Sequence, residues 1–181
     1  MKKILPVLSV LFLTLASGFA QNNIYYSRDA KLQIIGSYQK ELMIAKTMAL
    51  NIVLDYETAE ILLRFPLSSL NTNVDTINEI LKFNSTEVIF KGKLGMDYIN
   101  TQIQRPQTFK VEGLLTIKGS RTAIDGNGEL HHVDDVGEVS CLLGLVFPLD
   151  MKALNIDLDL ADLEGEFEVI ITQAVLHVDK N

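Results

Sequence analysis

The sequence lacks tryptophan, has a single cysteine and carries fewer basic than acidic side chains, 16 against 23 in 181 residues. The absence of tryptophan disfavours a stacking platform for sugars or bases. One cysteine excludes an internal disulfide and a thiolate metal cluster. The net charge of −7 disfavours nucleic acid as a partner, because phosphate binding requires clustered Lys and Arg. The common signatures of hydrolases, nucleotide-binding loops and zinc proteases are also missing, so we expect neither a catalytic residue nor a cofactor.

The first twenty residues have the pattern of a secretory signal peptide. Lys2 and Lys3 precede a nearly continuous apolar run over residues 4–16, and small residues precede Gln21. The run is shorter than the roughly 20 residues that span a bilayer, so cleavage after Ala20 is favoured over a membrane anchor. We therefore expect residues 1–20 to be removed. Residues 21–181 should then form one domain, periplasmic or secreted, without an integral membrane anchor.

Most of the remaining chain alternates apolar and polar residues, which predicts half-buried β-strands. In one such segment Phe109, Val111 and Leu115 alternate with Lys110 and Glu112. The predicted strands cover about 24–36 (one or two strands), 42–55, 58–66, 87–98, 109–118, 138–149 and 166–178. In the last three strands and in 87–98, the apolar face is expected to include Tyr98, Cys141 and Val175 as well as the larger aliphatic residues.

One segment, 73–83, has the helical spacing of apolar residues, with Asn73 as a candidate cap. Several predicted strands are longer than the usual 5–6 residues. Long antiparallel strands suit a closed barrel, which leaves no exposed edge. The predicted fold is therefore all-β, an antiparallel eight-stranded lipocalin-like barrel with one short helix near 73–83.

The barrel interior poses the functional question, because eight strands enclose either a filled core or one small ligand. Gly92 and Gly113 occupy apolar-face positions where a larger residue would fill space. They either mark bulges or bends in the strands or leave room for an apolar ligand. The expected interior residues, and hence the candidate ligand contacts, are Phe90, Leu94, Val111, Leu115, Ile117, Leu143, Leu145, Phe147, Val169 and Ile171.

Three segments resemble a known family. Residues 108–119 read TFKVEGLLTIKG, residues 145–156 read LVFPLDMKALNI, and 166–176 form an amphipathic last segment. Their order and spacing resemble the YceI-like family, exported lipocalin-like barrels that bind lipids with long apolar tails. The chain departs from the family at Asn84-Ser85-Thr86 and at 121–124. The resemblance implies a strand after Gly119 and an apolar tunnel for a polyisoprenoid, quinone-like or fatty chain. It implies a binding protein or carrier, not an enzyme, and a possible homodimer.

Other interpretations stay open at this stage. The barrel could have a filled core and serve as a structural or stress-related interaction protein. His131 and His132 with the following acidic residues could bind a metal in an enzyme, although a solvated hairpin turn at 134–137 is favoured. The acidic run at 157–164 is interpreted as solvated rather than as a calcium loop, and Cys141 as a buried, inert thiol. A transmembrane barrel would need aromatic girdles, and the final strands have few aromatic residues.

Overall fold

The computed structural model describes residues 23–103, 105–135, 138–150, 163 and 165–178. Within these residues one antiparallel sheet contains nearly all the secondary structure. The elements are β1 (Ile24–Tyr38), β2 (Glu41–Asp55), β3 (Glu60–Pro66), a 3-10 helix (Leu67–Ser69), β4 (Asn71–Thr72), α1 (Asp75–Lys82), β5 (Glu87–Leu94), β6 (Gln107–Ile117), β7 (Ser120–Asp135), β8 (Glu138–Asp150) and β9 (Glu166–Val178).

The sheet closes into a barrel of eight long strands. Each strand pairs with the next one around the barrel, and β1 pairs with both β9 and β2. The β1–β2 hairpin runs from Ile24 opposite Asp55 to Tyr38 opposite Glu41. The short β4 adds to β2 beyond the end of β3. The predicted antiparallel eight-stranded barrel is therefore confirmed.

The interior is an apolar core whose members come mainly from alternate positions of the strands. This alternation changes phase in β9, because Leu143 pairs with Ala174 whereas Leu145 pairs with Ile171, so β9 carries one extra residue. The bulge shifts the side-chain period of two by one position. Ala174 and Leu176 consequently face inward, and Val175 is 42% exposed. The predicted inward position of Val175 is therefore wrong.

Strand β5 is shorter than the sequence pattern predicts. It ends at Leu94, whose backbone N–H donates to the Ala59 carbonyl at 2.9 Å. The following segment leaves the sheet, and Ile99 N–H donates to the Tyr56 carbonyl at 2.8 Å. Tyr98 is 61% exposed, so its predicted place on the inner face is wrong. The prediction extended the strand too far because apolar and polar residues continue to alternate in the sequence after Leu94, where these hydrogen bonds turn the chain across the barrel end.

The predicted helix near 73–83 is present as α1, but Asn73 does not cap it. Val74 is the N-cap residue, without a side-chain hydrogen bond. Asn73 instead joins the start of α1 to β2: its Oδ1 accepts from Ile44 N–H at 2.8 Å and its Nδ2 donates to the Leu42 carbonyl at 3.0 Å. None of the helices in the described residues has the length and apolar character needed to cross a membrane.

Three predictions fall on residues that lie outside the described part of the chain. These are the signal peptide at 1–20, most of the acidic run at 157–164, and the second half of the predicted turn at 134–137, whose first half, Asp134 and Asp135, instead belongs to β7. The strand that the family resemblance implies after Gly119 lies within the described residues. It is observed as β7, which has 16 residues.

Candidate functional site

One end of the barrel is closed by backbone segments and by tightly packed side chains. The turn after β2 joins the N-terminal strand where Tyr56 N–H donates to the Asn23 carbonyl at 2.9 Å. Tyr56, Ala59 and Ile99 are all buried at this end. Beneath them lie Leu94 and other core residues with almost no exposed surface. This half of the interior is a filled core.

The filled half contains a small group of polar side chains. The rings of Tyr25 and Tyr56 stack with centroids 3.8 Å apart, and His132 meets Tyr56 edge-on at 5.6 Å. Cys141 is the cross-strand partner of His132. His132 is only 4% exposed, because β7 continues through it and directs the side chain inward. His131, the neighbouring residue, is only partly buried.

Burial determines the chemistry of this polar group. It raises the pKa of the Cys141 thiol to about 11, because the thiolate would lose its hydration. Burial likewise raises the pKa of the Tyr56 hydroxyl above its ordinary value. Cys141 is therefore a neutral thiol rather than a nucleophile, and the prediction of a buried thiol is confirmed. Among the described residues, no three His, Cys, Asp or Glu side chains converge on a metal site.

The other half of the barrel contains a cavity of about 140 Å³. Its wall comes from strands on every side of the barrel, and α1 and the 3-10 segment contribute Leu67, Ile77 and Leu81. Nearly all of the lining residues in the described part of the chain are aliphatic or aromatic, and Thr72 and Asn84 are the polar ones among them. A concave, mostly apolar space with a few polar groups is the usual form of a small-ligand site.

The ten candidate residues from the sequence divide between the two halves. Six of them line the cavity: Phe90, Leu115, Ile117, Phe147, Val169 and Ile171. The other four are buried but pack in the filled half: Leu94, Val111, Leu143 and Leu145. Alternation identifies which residues face inward. It does not show where along the barrel axis the filled core ends and the cavity begins.

Sequence reasoning missed the part of the lining that comes from the connection between β3 and β5. Leu67, Leu70, Ile77 and Leu81 cover the cavity from this connection. The helical spacing of Ile77 and Leu81 was visible, but it showed only that α1 has an apolar face. That this face meets the barrel interior follows from tertiary structure.

Hydrogen bonds attach α1 to the barrel. Asn78 Oδ1 accepts from Thr72 N–H at 2.7 Å, and its Nδ2 donates to the Thr72 carbonyl at 2.8 Å. Thr72 belongs to β4, which pairs with Ala45 of β2. The helix that covers the cavity is thus attached through β4 to the barrel wall, and the Asn73 hydrogen bonds to β2 add a second attachment.

The two polar residues of the cavity differ in what they can offer a ligand. Thr72 Oγ1 is engaged with the backbone N–H and carbonyl of Val74, both at 3.0 Å. Asn84 Oδ1 accepts from Thr86 N–H at 3.0 Å. Within the described residues its Nδ2 makes no hydrogen bond, and the side chain is partly exposed. Asn84 can therefore donate to an acceptor that enters the cavity.

Gly92 and Gly113 are opposite each other in the β5–β6 ladder, which continues through them without a bulge. A Cβ atom on Gly92 would lie 2.5 Å from Phe90 Cζ, and one on Gly113 would lie 2.7 Å from the same atom. The ring of Phe90 therefore lies against both glycines. The strands show no bulge at this pair, and the space that the glycines leave is occupied by the ring of Phe90 rather than left open for a ligand.

No protein-family model matches the chain, and no curated protein matches it. A solved structure does match: a polyisoprenoid binding domain from Saccharophagus degradans, implicated in plant cell wall breakdown. The alignment covers 87% of this chain and 99% of that chain, with a TM-score of 0.63 and 12% sequence identity. Likeness at this identity shows the fold. It agrees with the fold implied by the YceI-like resemblance, and the neighbour is a binding domain.

Proposed function

We propose that the protein binds an apolar lipid in the barrel and acts as an exported carrier or binding protein. The observation that carries the proposal is the apolar cavity of about 140 Å³ beside an otherwise filled core. The match to a polyisoprenoid binding domain supports lipid binding in a barrel of this fold. The signal-peptide pattern at 1–20 supports export.

An empty cavity of this size is costly, and this favours a bound ligand over a merely structural barrel. Protein interiors normally contain few voids larger than a water molecule. At about 24 cal/mol per Å³, a void of about 140 Å³ destabilises a fold by roughly 3 kcal/mol. A ligand that fills it would recover much of this free energy.

The cavity volume limits how much of the ligand it holds. An engineered apolar cavity of about 150 Å³ in another protein binds benzene, so the space here suits about six carbons. Each buried CH₂ contributes roughly 0.8 kcal/mol, or about 5 kcal/mol for six, before association costs. A short fatty chain would fit whole, whereas a polyisoprenoid or quinone-like chain would place only its terminal carbons in this space and keep its polar group outside.

For a ligand whose tail fits whole in the cavity, the polar group is proposed to lie near Asn84. Asn84 supplies a hydrogen-bond donor, and the opposite half of the interior is filled. The tail would enter first, and a carbonyl, ester or amide oxygen would accept from Asn84 Nδ2. No catalytic role is proposed, and homodimer formation stays a prediction.

Native mass spectrometry of protein purified without detergent, followed by organic extraction, tests the proposal. A stoichiometric extra mass that extracts as a lipid would support a lipid-binding protein and identify its ligand. A bare polypeptide mass, with no uptake of added fatty or isoprenoid chains, would contradict it. That result would favour a filled-core interaction barrel whose side chains relax into the cavity.

A further inference from the structure

We infer that the rings of Phe90 and Phe147 form the floor of the cavity and set the length of tail that it accepts. The inference rests on the proposed function, because it concerns the ligand of the same site. It adds a specificity determinant, because these two side chains would limit how many carbons of a tail can be buried in the cavity.

The two rings meet in the middle of the barrel. Phe90 comes from β5 and Phe147 from β8, their centroids are 5.0 Å apart, and the rings are inclined at 62°. Both side chains are buried and both line the cavity. An edge-to-face pair with this spacing is a favourable aromatic arrangement, so the rings support each other across the interior.

Glycines in the barrel wall let the rings occupy these positions. Phe90 lies over the Gly92–Gly113 pair, and Phe147 Cδ1 lies 2.7 Å from where a Cβ atom of Gly126 would be. Because glycine has no side chain, the wall at these glycines offers no atoms to fill the space that would be left if a phenylalanine ring were replaced by a smaller side chain. A smaller residue at Phe90 should therefore leave an opening that a ligand can enter.

The interior beyond the rings is filled. Leu94, Val111, Leu143 and Leu145 lie on that side, and each is at most 1% exposed. None of the four lines the cavity. A tail that reaches the rings can go no deeper without displacing close-packed core residues, so the ring pair is where a tail must stop.

Binding of 2-alkanones of increasing chain length measures this limit directly. These ketones carry a neutral acceptor for Asn84 and an unbranched tail. For the wild-type protein, affinity should rise about fourfold per added carbon and then level off once the tail reaches the rings. Phe90→Leu should move this plateau to longer chains by at least one carbon, and Phe147→Leu should act in the same direction.

Phe109→Leu is the matched control. Phe109 is also buried, and its ring lies against Gly128, but it does not line the cavity. The substitution should lower the melting temperature without changing the chain length at which affinity levels off. Melting curves for all three variants establish that each is folded at the temperature of the binding measurement.

The outcomes separate the two proposals. A plateau that shifts in Phe90→Leu or Phe147→Leu but not in Phe109→Leu supports the floor. A wild-type affinity that rises without a plateau, or a plateau that no folded variant moves, overturns the floor and leaves lipid binding intact. Absence of wild-type uptake for every chain length overturns the proposed function and the floor together.

Discussion

The carboxamide of Asn78 makes two hydrogen bonds to the backbone of Thr72, one to its N–H at 2.7 Å and one to its carbonyl at 2.8 Å. Through this pair of bonds α1 is held on β4 and so on the barrel wall. Ile77 and Leu81 of the same helix line the cavity. The cover of the proposed ligand site is therefore held partly by this one polar side chain at the boundary between helix and sheet, and the Asn73 hydrogen bonds to β2 hold it as well.

Asn78→Ala should destabilise the protein and speed ligand release. It leaves two backbone groups of Thr72 without their partners, and we expect a loss of about 1–3 kcal/mol. Urea denaturation measures the stability, and the dissociation rate of a bound 2-alkanone measures the release. Asn71→Ala is the control: Asn71 is exposed on β4, and its side chain makes no hydrogen bond with described residues. Equal effects of both substitutions would contradict the attachment.

Gly113→Ala should destabilise the barrel. Its Cβ atom would lie 2.5 Å from Gly92 Cα and 2.7 Å from Phe90 Cζ, so backbone and ring must both move. We expect about 1–3 kcal/mol of lost stability, as for overpacked cores. Gly144→Ala is the matched control, since the nearest atom to its Cβ would be 3.7 Å away. Urea titrations in which both variants behave alike would refute the close packing of Phe90 on the glycines.

Ala45→Leu should block the cavity. Ala45 is buried and lines it, so a larger side chain would occupy space that the tail needs. We expect at least a tenfold weaker affinity for a 2-alkanone, while the ligand-free protein keeps its stability because the void is filled. Ala123→Leu, which adds the same volume at an exposed position, should change neither quantity. Unchanged binding in a folded Ala45→Leu variant would place the ligand elsewhere.

Asn84→Asp should weaken binding of 2-alkanones but not of alkanes with equal tails. The substitution keeps an oxygen that can accept from Thr86 N–H, and it removes the Nδ2 donor. Loss of one hydrogen bond of about 1 kcal/mol corresponds to a roughly fivefold weaker affinity. Binding isotherms for both compounds are compared. If the two affinities fall together, Asn84 does not bind the polar end of the ligand.

Stability should fall as pH rises from 9 to about 11. Burial raises the pKa of Cys141 from its ordinary 9.0 to about 11, so above pH 9 the unfolded chain loses a proton that the folded protein retains. The contribution of the neutral thiol is thus fully present below pH 9 and is lost towards pH 11. Unfolding free energies measured across this range test it. Since Tyr56 shifts in the same direction, the relevant quantity is the difference from Cys141→Ala, and a pH-independent difference would contradict the prediction.

Alternation along the chain was sufficient to predict most strands and the inward faces of β6 and β8. Phe109, Val111 and Leu115 are buried as predicted, and so are Cys141 and Leu143. The alternation gave wrong inward faces where hydrogen bonds between distant segments changed which side chains of a strand face the interior. Val175 faces outward because the bulge in β9 adds a residue opposite β8. No local feature of the sequence around Gln173 reveals such an extra residue.

The candidate site was predicted only in part, for a related reason. Inward-facing positions are recognisable from their period of two, so Phe90 and Phe147 were among the candidates. Their meeting in space was not, because they lie on β5 and β8, which are not neighbours in the barrel. The cover of the cavity could not be predicted either. Ile77 and Leu81 reach the cavity through a connection whose path depends on Asn73 and Asn78.

By itself the sequence determined an all-β barrel with an apolar interior, because the alternation of side chains along a strand is a local property. Only the tertiary structure decided which part of that interior is filled and which is open. That division depends on where rings such as Phe90 lie against glycines of other strands, and on where α1 crosses the barrel end. Packing between distant segments sets the volume of a cavity, and no local pattern records it.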